Sequence, residues 1–174
     1  QKAIRDGDLR QAHQHCLAIL AIDPDFADAW FLCGVIAAGN GAVVKAADIF
    51  RKAIVLSPNK AEYHAELGKQ LITLREPREA LTTATTALSL SPTELPILNT
   101  LATVFSHCGE HEQALVCYKQ AVLSLETRAE RASGLSSQWQ AELYFNMAAS
   151  LQFAGQFESA EAASECPSHQ PVTH

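Results

Sequence analysis

Apolar residues recur along the chain at the spacing of one helix face, i, i+3, i+4 and i+7. Two sets follow it: Trp30, Cys33, Gly34 and Ala37, and then Ala46, Ile49, Phe50 and Ala53. The segment GNGAVV at 39–44 interrupts the pattern with residues that favour a turn. No segment shows the sustained alternation of a strand. The pattern predicts an all-α fold of paired helices, each of roughly 12–15 residues.

The helical pattern recurs at a fixed interval, that between Pro24 and Pro58. We call a set of residues that recurs at this interval a row. Four rows are Pro24, Pro58 and Pro92; Ala12, Ala46, Ala80 and Ala114; Gly34, Gly68 and then Ala102; and Ala53, Ala87 and Ala121. Another row is Gly7, Gly41 and Gly109, with Arg75 in the remaining slot. Several independent rows in one phase indicate an internal repeat.

The last copy is displaced, because the interval from Gly109 to Gly155 is longer than one repeat. We expect one repeat domain over 1–163, made of a half repeat 1–23, repeats 27–60, 61–94 and 95–128, an insertion 129–140 and a final repeat 141–163, followed by an irregular tail 164–174. Glu126 stands where the proline row would continue, so the helix starting near residue 111 is expected to continue towards the insertion.

The small residues have a packing role in this prediction. Two paired helices approach to about 8–10 Å only where the facing residues suit the contact. We expect Gly34 and Gly68 on the first helix of a pair to face small residues such as Ala46 and Ala80 on the second. The larger apolar residues then fill the space between pairs, and because one pair cannot bury them alone, the copies must stack.

The segment DPDFADAWFLCGVIAAGNGAVVKAADIFRKAIVLSP (23–58) resembles a tetratricopeptide repeat, with its Trp, Gly, paired Ala, Phe, Ala and Pro in the family's order. The sequence departs from that family at Arg75 and Pro77, which replace the usual glycine turn, and at Ala84, which replaces an aromatic residue. The resemblance implies a right-handed superhelical solenoid of antiparallel helix pairs. It also implies a protein-interaction scaffold that binds a peptide or helix in a concave groove lined by the first helix of each pair.

Carried over residue by residue, the resemblance implies a peptide-binding groove formed by Phe31, Val35, Glu66, Lys69, Asn99, Thr100, Thr103, Phe145, Asn146 and Phe153. Asn99 and Asn146 are of interest because a side-chain amide can bond a peptide N–H and C=O together. Lys69, with Glu66 beside it, is the one cation of this set, so a clamp for a terminal carboxylate is not expected. The groove suits a neutral or mildly basic partner.

The chain is acidic, with 13 Lys and Arg against 19 Asp and Glu. Nucleic acid is therefore not expected as a partner, because its recognition needs clustered basic residues. No run approaches the ~18 apolar residues of a membrane span, so no membrane is expected either. The five cysteines include no C-x-x-C pair. We expect buried reduced thiols, which favours a reducing compartment, the cytoplasm.

The residues give little reason to expect chemistry. In the segment HCGEHEQALVCY, the turn at Gly109 separates His107 from His111, so we expect a polar turn rather than a metal site. No nucleophile elbow and no phosphate-binding loop are present. We expect no catalytic residue and no cofactor in this chain.

Two alternatives remain open. The segment YFNMAASLQFAGQFESAEAA (144–163) resembles the last repeat of tetratricopeptide segments that precede sulfotransferase domains in bacterial proteins. The chain would then be the substrate-recruiting part of a larger modifying enzyme. The other alternative is self-assembly, such as a homodimer through exposed terminal repeats. We favour a chain that is part of a longer protein over one whose end packs on another copy.

Overall fold

The computed structural model describes residues 9–129, 146–148, 150 and 155 of the 174-residue chain. Seven helices lie within residues 9–129: α1 Leu9–Ile22, α2 Ala27–Gly39, α3 Val43–Leu56, α4 Ala61–Thr73, α5 Pro77–Ser89, α6 Leu95–His107 and α7 His111–Ala129. Residues 146–148, 150 and 155 are also helical. Throughout these described ranges the chain contains helices and turns and no strand.

The helices pack in pairs along the chain. α2 packs on α3, α4 on α5 and α6 on α7, while α1 lies against α2. The first helices begin at Ala27, Ala61 and Leu95, which are equally spaced at the interval of the sequence repeat. Each pair contacts the next, since α4 packs on α3 and α6 packs on α4. The predicted all-helical solenoid of stacked helix pairs is confirmed.

Small residues lie where paired helices approach each other. Ala46 and Ala80 are fully buried. A Cβ built on Gly34 would lie 2.5 Å from Phe50, so only glycine fits there. At Gly68 the nearest atoms, in Val104, would be 3.5 Å away, which is ordinary contact. The close approach at Gly34 is therefore to the ring of Phe50 rather than to Ala46, whereas Gly68 lies near the backbone carbonyl of Ala80, as expected, and has room for a methyl group.

An aromatic cluster joins the pair α2–α3 to α4. The ring of Phe50 on α3 lies 5.6 Å from that of Phe31 on α2, centroid to centroid, and Phe31 stacks on Tyr63 of α4 at 4.7 Å. Phe50 and Tyr63 are buried. The hydroxyl of Tyr63 donates a hydrogen bond to the carboxylate of Asp28. Because buried aromatic rings contribute large apolar contact areas, this cluster holds the two neighbouring pairs together.

The first helix of each pair ends in the same turn. In the turn after α2, the Gly41 amide donates to the Ala38 carbonyl and the Ala42 amide to that of Ala37. This is a Schellman motif, which needs a residue with positive φ after the helix. Gly41 has φ 75° and Gly109 has φ 82°. Arg75 takes the same position with φ 61°. The glycine row is thus explained by the positive φ of this turn, and the backbone is strained at Arg75, where the row has no glycine.

Two residues of the proline row, Pro24 and Pro58, accept a side-chain hydrogen bond from the start of the next helix. The indole N–H of Trp30 donates to the carbonyl of Pro24 at 2.7 Å. His64, at the equivalent position of the next repeat, makes the same bond from Nε2 to the carbonyl of Pro58 at 2.8 Å. The amine of Lys52 lies 3.6 Å above the Trp30 ring, in a cation–π contact. Large polar-tipped side chains at this repeat position therefore fix the entry to the pairs α2–α3 and α4–α5.

Helix α7 is longer than the others. It has 19 residues and continues past Glu126 to Ala129, whereas α2 to α6 have 13 or 14. The expected continuation beyond the missing proline is confirmed.

The described cysteines are free thiols in apolar surroundings. Cys16, Cys33 and Cys117 are buried and Cys108 is half-buried. Burial raises the pKa of Cys117 to about 12, and burial together with the adjacent Cys16 raises the pKa of Cys33 to about 11. These thiols stay protonated near neutral pH and act as small apolar side chains, as expected.

Alanine substitution at the two packed glycines is expected to have opposite effects. In Gly34→Ala the methyl group would overlap buried Phe50, so the free energy of unfolding should fall by ~1–3 kcal/mol. In Gly68→Ala the methyl group fits, and alanine favours a helix by ~1 kcal/mol over glycine, so stability should hold or rise. Urea unfolding of both variants measures the difference. Equal losses would contradict the packing described.

The turn at Arg75 offers a second test. Arg75→Gly removes the strain of a side chain at positive φ, so stability should rise by about 1 kcal/mol or less. Gly41→Ala is the reverse substitution and serves as the control. No atom crowds that position, so the expected loss of stability, about 1 kcal/mol, comes from the backbone conformation alone. Thermal unfolding of both variants is the measurement. A loss in Arg75→Gly would show that the arginine side chain stabilises the turn.

Candidate functional site

A concave cavity of about 780 Å³ lies between α2 and α4, the first helices of two neighbouring pairs. We call it the α2–α4 groove. Its lining residues are Phe31, Leu32, Val35, Ala38, Gly39, Val43, Glu62, Glu66, Lys69, Gln70 and Thr73. A cavity of this size, with an apolar floor and a few polar groups, is typical of a binding site.

The floor of the groove is apolar and packed on the core. Phe31 is only 7% exposed, because the rings of Phe50 and Tyr63 hold it from below. Leu32 and Val35 are half-buried and lie on the same helix. The floor is thus built by the aromatic cluster that joins the helix pairs, and a bound side chain would meet a surface already ordered by the fold.

Charged side chains lie along α4 and the start of α2. Lys69 pairs with Glu66 at 3.8 Å, and Lys60 pairs with Asp28 at 3.8 Å. Lys69 is 60% exposed while Glu66 is only 24% exposed. Ion pairs of this length and exposure contribute ~0–1 kcal/mol, so they leave the groups available to a ligand.

Glu62 has the most perturbed carboxyl of the groove. Loss of hydration raises its pKa, and repulsion from Glu66, Asp28 and Glu94 raises it further, while the charge of Lys60 acts in the opposite direction. Glu62 lies in the first turn of α4. A helix N-terminus stabilises a negative charge, so the raised pKa means that lost hydration and the surrounding carboxylates outweigh the helix dipole.

The structure brings together four of the ten side chains expected to form the groove. Phe31, Val35, Glu66 and Lys69 line the α2–α4 groove. Phe31 contributes as a buried floor residue rather than as an exposed contact. The three expected residues on α6, Asn99, Thr100 and Thr103, are half-buried and lie outside the cavity.

Asn99 has an unusual environment for a half-buried residue. Its side-chain Oδ1 is buried and has no hydrogen-bond partner among the described residues. The hydroxyl of Thr103 donates to the backbone carbonyl of Asn99 at 2.9 Å. Asn146 is half-buried in a helical segment, while Phe145 and Phe153 lie outside the described residues. The expected amide contacts to a peptide therefore stay a prediction.

Glu62 was missed by the sequence analysis, as were Leu32, Gln70 and Thr73. A signal for Glu62 was available, because it lies one repeat after Asp28 and both are in the first turn of a first helix. Periodic carboxylates at helix starts are ordinary, so the repeat alone did not distinguish them from helix capping.

Other kinds of site find no support in the described part of the chain. No group of three or more His, Cys, Asp or Glu residues there is arranged to hold a metal ion. The ring N–H of His107 donates to the backbone carbonyl of Thr103 at 2.8 Å. None of the described helices combines the length and the apolar character that crossing a membrane requires.

Comparison with known proteins agrees with the fold of stacked helix pairs. The family model described as tetratricopeptide repeat matches residues 1–61. A thermophilic tetratricopeptide-repeat protein from Thermus thermophilus superposes with a TM-score of 0.62 at 19% identity, over 86% of this chain and 76% of its own. Residues 1–61 thus match the tetratricopeptide-repeat family, and the described helix pairs share the fold of such repeats. A search of curated proteins gave no match.

Two further structures resemble this chain. MamA superposes with a TM-score of 0.57 at 19% identity, over 91% of this chain and 95% of its own. A mutant of the O-GlcNAc transferase of Thermobaculum terrenum gives a TM-score of 0.60 at 27% identity, over 68% of this chain. This chain spans 24% of the length of that transferase.

Neutralising Glu62 is expected to stabilise the fold. Because its pKa is raised in the folded state, the fold binds its proton more tightly than the unfolded chain does. The stability that the fold gains by holding this proton is therefore lost as the pH rises above about 4.5, the ordinary pKa of the carboxyl group. Glu62→Gln should unfold at higher urea than the wild type near neutral pH, and the difference should vanish in acid.

Glu112→Gln is the matched control for this experiment. Glu112 is an exposed carboxylate in the first turn of α7, away from the groove. Its neutralisation should give no gain in the urea midpoint, because the helix dipole favours its charge. A gain of equal size in both variants would point to net charge rather than to the repulsion around Glu62.

Proposed function

We propose that this chain is a non-catalytic protein-interaction scaffold that binds an extended peptide or a helix of another protein in its concave groove. The tetratricopeptide-repeat fold supports a scaffold role, and such domains bind proteins or peptides. The observation that carries the proposal is the α2–α4 groove, whose apolar floor lies beside charged groups. Asn99, Thr100 and Thr103 lie on α6 outside this cavity, and their part in binding stays a prediction.

The groove offers both apolar and polar groups to the side chains of a partner. Its apolar side offers Val35 and Leu32, and its polar side offers the amide of Gln70 and the charges of Glu66 and Lys69. An apolar anchor with polar groups beside it is a common way to bind a peptide and fix its register. The exposed ion pair between Glu66 and Lys69 can open to meet a partner's charge.

A second function is favoured by one comparison. The similarity to an O-GlcNAc transferase covers 24% of that chain, which would suit a recruiting segment within a larger enzyme. The accessory-domain alternative is kept on this ground, and the more specific resemblance to segments before sulfotransferase domains stays a prediction. The coding sequence around residues 1–174 separates the two: a transferase domain in the same reading frame supports this alternative, and its absence removes it.

Blocking the groove tests the main proposal. Thr73 is exposed and lines the α2–α4 groove, so Thr73→Trp should fill part of it without disturbing the core. Peptides selected from a phage-displayed library on the wild-type protein should bind Thr73→Trp at least about tenfold more weakly, or about 1.4 kcal/mol. Isothermal titration measures the affinities.

The control for this experiment is Thr82→Trp. Thr82 is an exposed threonine on α5 whose hydroxyl bonds the carbonyl four residues earlier, as that of Thr73 does, but it lies outside the groove. The selected peptides should bind Thr82→Trp as they bind the wild type. Equal binding to Thr73→Trp, Thr82→Trp and wild type would overturn the groove assignment.

A further inference from the structure

Carboxylates outnumber cations around the start of α4. Glu62 is surrounded by the charges of Glu66, Asp28 and Glu94, and Lys60 is the one described cation acting on it. Lys60 is itself engaged with Asp28 at 3.8 Å. Among the described residues no ion pair to Glu62 is seen, so no salt bridge offsets its charge.

Lys69, the cation that lines the groove, is also partly engaged. Lys69 pairs with Glu66 and is 60% exposed, so its charge is largely screened by water. Glu66 is only 24% exposed and lies closer to the apolar floor. A charged group of a ligand beside Glu62 and Glu66 would therefore meet a negative electrostatic potential.

The helix dipole does not remove this negative potential. Glu62 and Asp28 both lie in the first turn of a helix, where the positive end of the dipole favours a carboxylate. The pKa of the Glu62 carboxyl is nevertheless raised, chiefly by lost hydration and then by the neighbouring carboxylates. A cation placed at this point by a ligand would relieve the repulsion.

We propose that the α2–α4 groove selects a partner segment in which an arginine or lysine stands beside an apolar side chain. The cation lies against Glu62 and Glu66, and the apolar side chain rests on Val35 and Leu32. The inference rests on the proposed function and adds to it the chemistry of the partner. Charge complementarity carries it, because the negative side chains lie next to the apolar floor within one cavity.

Arginine fits this site better than lysine. Its planar guanidinium can bond two carboxylate oxygens at once and loses less hydration than an ammonium when it packs on apolar groups. An acidic segment would meet like charges at Glu62 and Glu66 and is rejected. The site thus favours basic over acidic partners at the same apolar content.

Three fluorescein-labelled peptides test the proposal by fluorescence anisotropy. They alternate leucine with arginine, with citrulline or with glutamate, so that the arginine and citrulline peptides differ in charge but hardly in shape. The arginine peptide should bind the wild type at least about tenfold more tightly than the citrulline peptide. The glutamate peptide should bind more weakly still. The double variant Glu62→Gln, Glu66→Gln should reduce the arginine peptide to the affinity of the citrulline peptide.

The controls separate this inference from the proposed function. Glu112→Gln should leave binding of the arginine peptide unchanged, because Glu112 lies on α7, away from the groove. If the citrulline peptide binds as tightly as the arginine peptide and Thr73→Trp blocks both, the groove binds peptides but the basic partner is wrong. If the arginine peptide binds Thr73→Trp as it binds the wild type, binding occurs elsewhere and the groove assignment fails as well. Absence of binding by the arginine peptide also overturns the inference.

Discussion

The aromatic cluster of Phe50, Phe31 and Tyr63 is the contact on which the rest of the described structure depends. Phe50 occupies the space left by the missing side chain of Gly34, and Phe31 stacks on Tyr63 from the next pair. One contact thus sets the spacing within a helix pair and also joins it to its neighbour. A repeat protein is stabilised by such neighbour contacts, since each unit alone leaves its apolar face in water.

The same cluster builds the candidate site. Phe31 forms part of the groove floor because Tyr63 supports it, and the hydroxyl of Tyr63 bonds Asp28 at the edge of the acidic group. Packing and recognition therefore share side chains. Tyr63 and Glu62 are consecutive on α4, so one helix turn presents the ring to the core and the carboxylate to the groove.

Periodicity in the sequence predicted the helix pairs well, because residues with strict steric roles recur once in each repeat. Gly41 and Gly109 recur because the Schellman turn needs positive φ, and even the exception, Arg75, adopts it. Gly68 shows a limit of this reasoning, since it shares a row with Gly34 but has room for a methyl group. The site was harder to predict than the fold. The family resemblance named four residues that line one groove, but it missed Glu62. The raised pKa of Glu62 depends on charged neighbours from the starts of three helices, and the repeat pattern of the sequence does not show how close they lie.

If the concave face of α2 and α4 is the binding surface, chemical-shift mapping will locate a bound peptide there. Isotope-labelled protein would be titrated with the leucine–arginine peptide while amide and side-chain carboxyl signals are followed. We expect the largest shifts at Val35, Glu62 and Lys69, and none at exposed positions of α3 and α5 such as Asp48 and Thr82. Shifts concentrated on α3 and α5 would contradict this binding surface.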